Sequence, residues 1–447
     1  MARKIAFIGA GSYGFTYKLI VDILFKPELF DSEIAFMDVD EKRLKNLETV
    51  MTAHFNKVGY KQKPIYTTEL KKALAKADFV VNLVKIGFYD ASVKDMEIPK
   101  KYGLYQTIGD TCGVAGISRG LRTMIFDIGM VKMIEKVSRP NVMVINYSNP
   151  QQMSVTAVDA VSDVPFIGLC HSVQGTTTKI AESLGIPYDE LTYEAAGTNH
   201  MNWILKLRHK RKDVYPRFRK LGLEDADGLD KGGASGDPAI FAGFGKTRID
   251  MLNRTGYMVT ESSHHFAEYV PYYLRTPELI KKYDLPIDMY VDNIARKDKA
   301  YAEYVKQAKK GKLPDEKPSV EYGSQIIEAV TTNRPAKIYA NVMNWNGYVE
   351  NLPYFGCVEV ASLVDRNGVQ PIHFGEIPHQ LAALCSANMN VHKLAAEAVL
   401  RNDRDYVYWA FMADMAAHSV MDLDQMRALA DEILDAQEPY LNGYFKK

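Results

Sequence analysis

The sequence predicts an α/β protein: an N-terminal Rossmann-like, doubly wound parallel sheet followed by a C-terminal mixed α/β domain. Three observations predict it. KIAFIGAGSYGF, from Lys4, is a buried apolar run that breaks into a glycine turn. Apolar runs of strand length then alternate with amphipathic helical stretches, the pattern of a parallel sheet covered on both faces. Polar clusters fall just past three of those runs: KIGFYD after VVNLV, NYSNP after VMVI, and CHSVQ after FIGL. In such sheets ligands bind beyond the carboxyl ends of the strands.

The first strand feeds a helix over Tyr13–Phe25, and the turn between them has the spacing G-x-G-x-x-G. Gly9 permits the tight turn, Gly11 lets the backbone approach a pyrophosphate, and Gly14 allows close packing of helix on strand. The helix N-terminus, with Ser12 in the turn, points amides at the phosphates. A second strand, EIAFMD, reaches Asp38, placed to bind ribose hydroxyls and disfavour a 2′-phosphate, while Arg43 nearby leaves NADP open. EKRLKNLETVMTAHFNKV reads as a helix, PIYTT as a short strand, ELKKALAKA as a helix, DFVVNLV as a buried strand and SRGLRTMIFDIGMVKMIEKV as a helix. NVMVI and VPFIGL extend the sheet through right-handed crossovers. Further on, KPSVEYGSQIIEAVTTN reads as a helix, and PAKIYANVMNWNGYVENLP as two strands about an Asn-Gly turn. CVEVASLVDRNGVQPIHFGEIP reads as a hairpin around Arg366-Asn367-Gly368, and His379–Leu400 and Arg404–Leu434 as helices whose Met and Ala stripes are packing faces. Gly228–Gly245, rich in glycine, reads as an exposed loop.

Composition narrows the function. The 447 residues carry 55 basic and 55 acidic side chains, so no electrostatic footprint for nucleic acid or an anionic membrane exists. The apolar N-terminal run is too short and too glycine-rich for a signal peptide, and no segment approaches a membrane span. Cys112, Cys170, Cys357 and Cys385 are widely spaced and form no disulfide framework, which points to a reduced, cytoplasmic protein.

Cys170 leaves a strand end for the cofactor cleft, and three readings of it stand. It is a buried structural thiol, a nucleophile with His171 as base, or a metal ligand whose thiolate the ion stabilises. Adjacent residues of an extended strand face opposite ways, which makes the second awkward. AAGTNHMNW supplies another strand and a turn with Asn199 and His200, thirty positions beyond Cys170. With the helix TTTKIAESLG between them this reads as one βαβ unit, so both side chains reach one cleft. Cysteine plus histidine suits a borderline divalent ion such as Mn, Fe, Co, Ni or Zn.

The GAGS turn, NYSNP, GLCHSVQG and AGTNHMNW together resemble the NAD- and metal-dependent family 4 glycoside hydrolases. GYMVTESSHHFAEYVPYY and NLPYFGCVEVASLVD are similar to its melibiase-type α-galactosidase branch. The resemblance spans nearly the whole chain, and His171 stands where phosphoglycosidases of the family carry Asp or Asn, which argues against a 6-phosphosugar. It implies a lactate-dehydrogenase-like architecture, with residues 1–197 binding NAD and residues 198–447 binding substrate and building a homodimer or homotetramer. It also implies Cys170 and His200 as ligands of a divalent metal, Mn foremost, and Asn149 and Asn199 as sugar contacts. Gly9, Gly11, Ser12, Gly14, Asp38 and Arg43 then hold the NAD.

The implied reaction is redox-neutral, an exception to the two-carboxylate scheme of other glycosidases. The sugar is oxidised at C3, loses its C2 proton to a base, expels the C1 leaving group by elimination, adds water and is reduced again. His171 is a candidate for the leaving-group acid or for a residue orienting a metal ligand. Glu261, His265 and Tyr269 are candidates for the base, since the family's tyrosine does not fall where expected in TESSHHFAEY. Thr107, Asp110 and Arg119 lie in a loop that could cover the nicotinamide, or simply form an ordered loop before a helix. Cys112 reads as incidental and Glu359 as a buried paired carboxylate. The implied substrate is a small α-galactoside, with α-glucosides, α-glucuronides and α-galacturonides as alternatives. A plain NAD-dependent dehydrogenase and a non-catalytic NAD sensor are the competing classes.

Overall fold

The computed structural model describes residues 3–224, 244–313 and 317–446. Among these, thirteen strands form one continuous sheet. The first six are β1 (Lys4–Ile8), β2 (Glu33–Met37), β3 (Ile65–Thr67), β4 (Phe79–Asn82), β5 (Met143–Asn146) and β6 (Phe166–Gly168). All are parallel, in the order β3-β2-β1-β4-β5-β6, the dinucleotide-binding order with its switch point between β1 and β4. Ile5, Ala6, Phe7 and Ile8 are all fully buried. A strand with no polar face needs cover on both sides, which the intervening helices provide.

Local signals set the helices. Glu41–Val58 starts where the Asp40 side chain accepts from the Arg43 amide at 3.0 Å and ends at Gly59, φ 76°. Leu44, Leu47, Met51 and Phe55 recur on its buried face. The helix expected over ELKKALAKA is only Leu70–Leu74, because the left-handed Lys76 turns the chain and bonds the carbonyl of Val137. The helix at Gly113–Val137 begins earlier than expected and runs 25 residues.

The sheet continues through β7 (Leu191–Thr198), β8 (Met201–His209), β9 (Lys212–Asp213), β10 (Met258–Val259), β11 (Ala336–Met343), β12 (Cys357–Asp365) and β13 (Gly368–Pro371). Here every pairing is antiparallel, and β11 joins the parallel half where Asn341 faces Gly168. This corrects the expected βαβ unit carrying Cys170 and His200. Two strands, β11 and β12, lie between β6 and β7, and β7 turns back into β8 through Asn199 and His200 alone. His200 takes φ 61° to close that hairpin, so it sits at the tip of an antiparallel turn.

Three other expectations change. Residues 344–356 hold no second strand. The Asn344 amide instead bonds the carbonyls of Val349 at 3.0 Å and Leu352 at 3.1 Å, folding the segment on itself. The stretch from Arg404 breaks into Arg404–Ala413, Met415–His418 and Leu423–Gln437, because Asp414 and Asp422 act as helix caps. Of Gly228–Gly245 only Phe244 and Gly245 are described, and Phe244 is buried rather than exposed. Among the described residues no helix is long and apolar enough to cross a membrane.

Candidate active site

The glycine turn lies against two neighbours. Gly9 has φ 77°, and a Cβ on it would fall 2.8 Å from the Val84 amide, so only glycine fits there. The Gly11 amide donates to Asp38 Oδ2 at 2.7 Å, which fixes the acid beside the turn. The close-packing role expected for Gly14 is not seen: a Cβ there would meet nothing within 4 Å. Gly14 and Ser12 are exposed at the start of the helix, leaving open backbone for a ligand phosphate. Arg43 is engaged elsewhere, with its guanidinium 2.9 and 3.1 Å from the two Asp298 oxygens and 4.1 Å over the Phe88 ring. An engaged arginine weighs against a 2′-phosphate. These contacts fit NAD.

From this turn a chain of contacts leads to a second cluster. The Ser148 hydroxyl donates to the carbonyl of Val84, and Asn149 Nδ2 donates to Asp110 Oδ2 at 3.0 Å. Asp110 Oδ1 lies 3.5 Å from His265 Nε2, and His265 Nδ1 lies 3.4 Å from Glu261 Oε1. Glu261 Oε2 then stands 3.7 Å from His200 Nε2 and 3.8 Å from Cys170 Sγ. One ligand atom from each of Cys170, His200 and Glu261 lies within 4.8 Å of the others, and all three residues are buried. Metal–ligand bonds of about 2.0–2.3 Å place neighbouring donors roughly 3–4 Å apart, so these spacings match a coordination shell.

Three elements deliver the donors. Gly168 ends β6 where a Cβ would come 2.9 Å from that of Asn341, and Cys170 follows two residues later. His200 is the tip of the β7–β8 hairpin. Glu261, φ 69°, follows β10 and precedes the helix Ser263–Glu268 that carries His265.

Electrostatics support a cation. Burial, then Glu261 and Glu359, hold the Cys170 thiol well above its ordinary range. Burial pushes His200 down to about 4. A thiol and a neutral imidazole beside a carboxylate form a site that a divalent ion completes, since the ion stabilises the thiolate. Burial opposes charge on His265 as well, but Glu261 and Asp110 overcome it and push that imidazole up to about 9. His200 Nδ1 faces Tyr269 Oη at 2.9 Å and Thr111 Oγ1 at 3.1 Å, leaving Nε2 for the ligand position. Such outer partners set which nitrogen carries the proton.

The remaining expected residues divide. Asn199 is buried with both side-chain polar atoms unpaired, and so is Glu359 Oε1. Glu359 is paired with an amide, Asn202 Nδ2 at 3.0 Å, rather than with a cation, and burial pushes it up to about 8. His171 Nδ1 meets Glu321 Oε1 at 3.0 Å. Thr107 bonds Glu268 through both its amide and its hydroxyl, and the hydroxyl also donates to the His264 carbonyl, while Cys112 lies 3.5 Å from His392 Nε2. Arg119 Nε bonds the Asn149 carbonyl at 3.1 Å.

Several residues at the site escaped the sequence reading: Glu321, Glu268, Lys85 and Tyr290. Lys85 opens KIGFYD, one of the polar runs past a strand end, so a signal for it existed. Glu268 stands in TESSHHFAEY directly before Tyr269, so a signal existed for it too; Glu321 and Tyr290 come from a loop and a helix distant in sequence.

Residues 4–186 match the family 4 glycosyl hydrolase profile, and residues 195–417 match the family 4 glycosyl hydrolase C-terminal domain. The chain belongs to this family. It is 34% identical to an α-galactosidase of Bacillus subtilis (strain 168), over 99% of this chain and 100% of that one. It is 30% identical to an α-galacturonidase of the same organism over 92% of both chains. A solved 6-phospho-α-glucosidase from gut microorganisms, in complex with NAD and Mn²⁺, shares the fold with a TM-score of 0.82 at 19% identity, covering 98% and 99% of the two chains. As a family 4 glycosyl hydrolase the chain is a glycoside hydrolase with a Rossmann-like fold.

Proposed function

We propose that this family 4 enzyme is an NAD- and divalent-metal-dependent α-glycosidase acting on α-galactosides, with α-galacturonides the alternative. The observation that carries the proposal is the Cys170, His200 and Glu261 donor set, joined through His265, Asp110 and Asn149 to the wall of the dinucleotide turn. Gly9, Gly11 and Asp38 would hold NAD, and Cys170, His200 and Glu261 would hold the ion, Mn foremost. When bound, NAD supplies a reversible hydride acceptor for sugar C3, and the ion supplies a Lewis acid for the adjacent hydroxyls.

The chain's own residues then take these parts. Asn149 and Asn199 orient the glycone hydroxyls, Asn199 with two buried polar atoms that otherwise lack partners. Of the base candidates, Glu261 is taken as a ligand. His265 has both nitrogens engaged, one by Asp110 and one by Ser262 at 2.9 Å and Glu261. Tyr269 is left as the base for the C2 proton: with Nε2 of His200 used for coordination, the Nδ1–H of His200 donates to the Tyr269 oxygen. Burial and the neighbouring acids hold this phenol well above its ordinary range, so it would serve as base only with the positive charge of the divalent ion beside it. His171, backed by Glu321, protonates the leaving oxygen. We place the enzyme in the cytoplasm as a homodimer or homotetramer; its four free cysteines suit a reducing compartment.

The test is incubation with NAD⁺, Mn²⁺ and a p-nitrophenyl α-galactoside. The expected result is nitrophenol without net NADH, and exchange of a C2 deuterium for solvent protons. Stoichiometric NADH, the sign of a dehydrogenase, or a fully retained label refutes the reading.

A further inference from the structure

Lys85 lies three residues beyond β4, in the segment whose Val84 packs on Gly9. Its stem leaves the residue partly accessible, yet the Nζ atom is buried and meets no hydrogen-bond partner. The ammonium stands 4.3 Å over the Tyr290 ring and 5.5 Å from the Phe88 ring centroid. Phe88 carries Arg43 at 4.1 Å, so Lys85 lies between the adenosine end of the groove and the Asn149 end. On that second side Arg119, also buried, donates to Tyr290 Oη at 3.3 Å.

The charges here do not balance. Lys85 and Arg119 share one nearby carboxylate, Asp110, which also faces His265 Nε2 at 3.5 Å, while His265 Nδ1 has Glu261 as its own partner at 3.4 Å. Asp110 already accepts from Thr111 Oγ1 at 2.8 Å and Asn149 Nδ2 at 3.0 Å, and it stands 4.0 Å from the Arg119 guanidinium. Burial of Lys85, reinforced by Arg119 and offset in part by Tyr290 and Asp110, pulls its ammonium down to about 8. Burial alone would raise the Tyr290 phenol, but Lys85 and Arg119 pull it down to about 8. A buried ammonium without a counter-ion is costly. It is retained where a ligand brings the missing negative charge.

We propose that Lys85, supported by Arg119, is the seat of an oxyanion carried by a bound ligand, either a pyrophosphate oxygen of the dinucleotide or a carboxylate on the glycone of a uronide. The assignment rests on the glycosidase reading for its second source only. A carboxylate-bearing sugar would explain why the cations stand next to Asn149, and a pyrophosphate would explain why Lys85 also neighbours the glycine turn.

Lys85→Met tests this, because it keeps the stem over Phe88 and Tyr290 and removes the charge, and Lys85→Arg restores the charge. Thermal unfolding checks that both variants fold. Two quantities are read: NAD⁺ affinity by calorimetric titration of the full chain, and kcat/KM on p-nitrophenyl α-galactoside and α-galacturonide with NAD⁺ and Mn²⁺ present. A loss of about tenfold or more in NAD⁺ affinity, recovered in Lys85→Arg, assigns the pyrophosphate. An unchanged NAD⁺ affinity with the galacturonide falling about tenfold or more relative to the galactoside assigns the sugar carboxylate. If Lys85→Met folds and neither quantity moves beyond about twofold, the seat does not exist. If the unsubstituted enzyme cleaves neither sugar, the glycosidase reading fails by itself, and the NAD⁺ titration still decides whether Lys85 holds the cofactor.

Discussion

Glu268 offers the sharpest separation of structure from chemistry. It is buried to 1% exposure, and its Oε1 accepts from the amides of Thr107 at 2.7 Å, Ile108 at 2.8 Å and Gly109 at 3.0 Å. The Thr107 hydroxyl adds a fourth contact at 3.1 Å, and Oε2 meets the Gly109 amide at 3.1 Å. One carboxylate therefore clamps the loop that ends in Asp110 and Thr111 to the helix that carries His265. Glu268→Ala orphans three buried amides at about 1–3 kcal/mol each, and partial relaxation of the loop leaves an expected loss of about 3–5 kcal/mol. Glu268→Gln keeps one oxygen but turns an NH₂ group toward the Gly109 amide, for about 1–2 kcal/mol. The second variant should fold, with Asp110 displaced. A shift of roughly 1 Å at such a group costs on the order of a hundredfold in rate. The assay combines urea unfolding, kcat and NAD⁺ titration. The expectation is a modest fall in midpoint and a large fall in kcat, with the NAD⁺ titration showing whether displacing Asp110 also reaches the cofactor. Unchanged kcat in folded Glu268→Gln would refute the clamp. Burial also pushes Glu268 up to about 7 from an ordinary 4.5. The folded state then binds a proton that the unfolded chain releases, so this group's contribution is fullest below the ordinary value and falls as pH rises toward 7. Glu268→Gln removes that slope.

Cys170→Ser should abolish metal-dependent turnover with NAD⁺ binding retained, and metal binding to the unsubstituted enzyme should release protons, seen calorimetrically as a dependence on buffer ionisation enthalpy. Equal loss of NAD⁺ affinity, or no buffer dependence, contradicts thiolate ligation. His171→Asn should lower cleavage of an α-galactosyl disaccharide by about 10²–10⁴-fold and of a nitrophenyl galactoside far less, because nitrophenolate leaves without an acid; parallel losses would point to binding instead. Asp95→Ala breaks the bidentate contact of Asp95 with Arg122, at 2.9 and 2.7 Å with side chains 3% and 0% exposed. Leaving that guanidinium buried and unpaired should cost about 3–5 kcal/mol in denaturant unfolding, against under 1 kcal/mol for an exposed pair.

Most of the N-terminal half of the fold was readable from spacing, although the helix Phe88–Lys100 was not read, ELKKALAKA proved shorter and the helix at Gly113 began earlier than expected. Buried parallel strands are mostly apolar, helices between them are capped by short-range contacts such as Asp40 and Gly59, and the glycine turn depends on backbone conformation at Gly9. All of this is local, so spacing along the chain carries it. The C-terminal strands were less readable, because β7, β11 and β12 pair with partners distant in sequence. The hairpin tip at His200 passed for the end of a βαβ crossover, since an apolar strand followed by a polar turn looks the same in both settings.

By itself the sequence determined which residue types were available for chemistry: the glycine turn with Asp38, a thiol at the end of β6 and an imidazole after β7. Only the tertiary structure decided that Glu261 stands between that thiol and that imidazole, that Asp110 and His265 form one relay, and that Glu268, Glu321 and Lys85 belong beside them. Charges in a buried site act over a few ångströms whatever their separation along the chain, so their partners are set by how the sheet and its loops close in space.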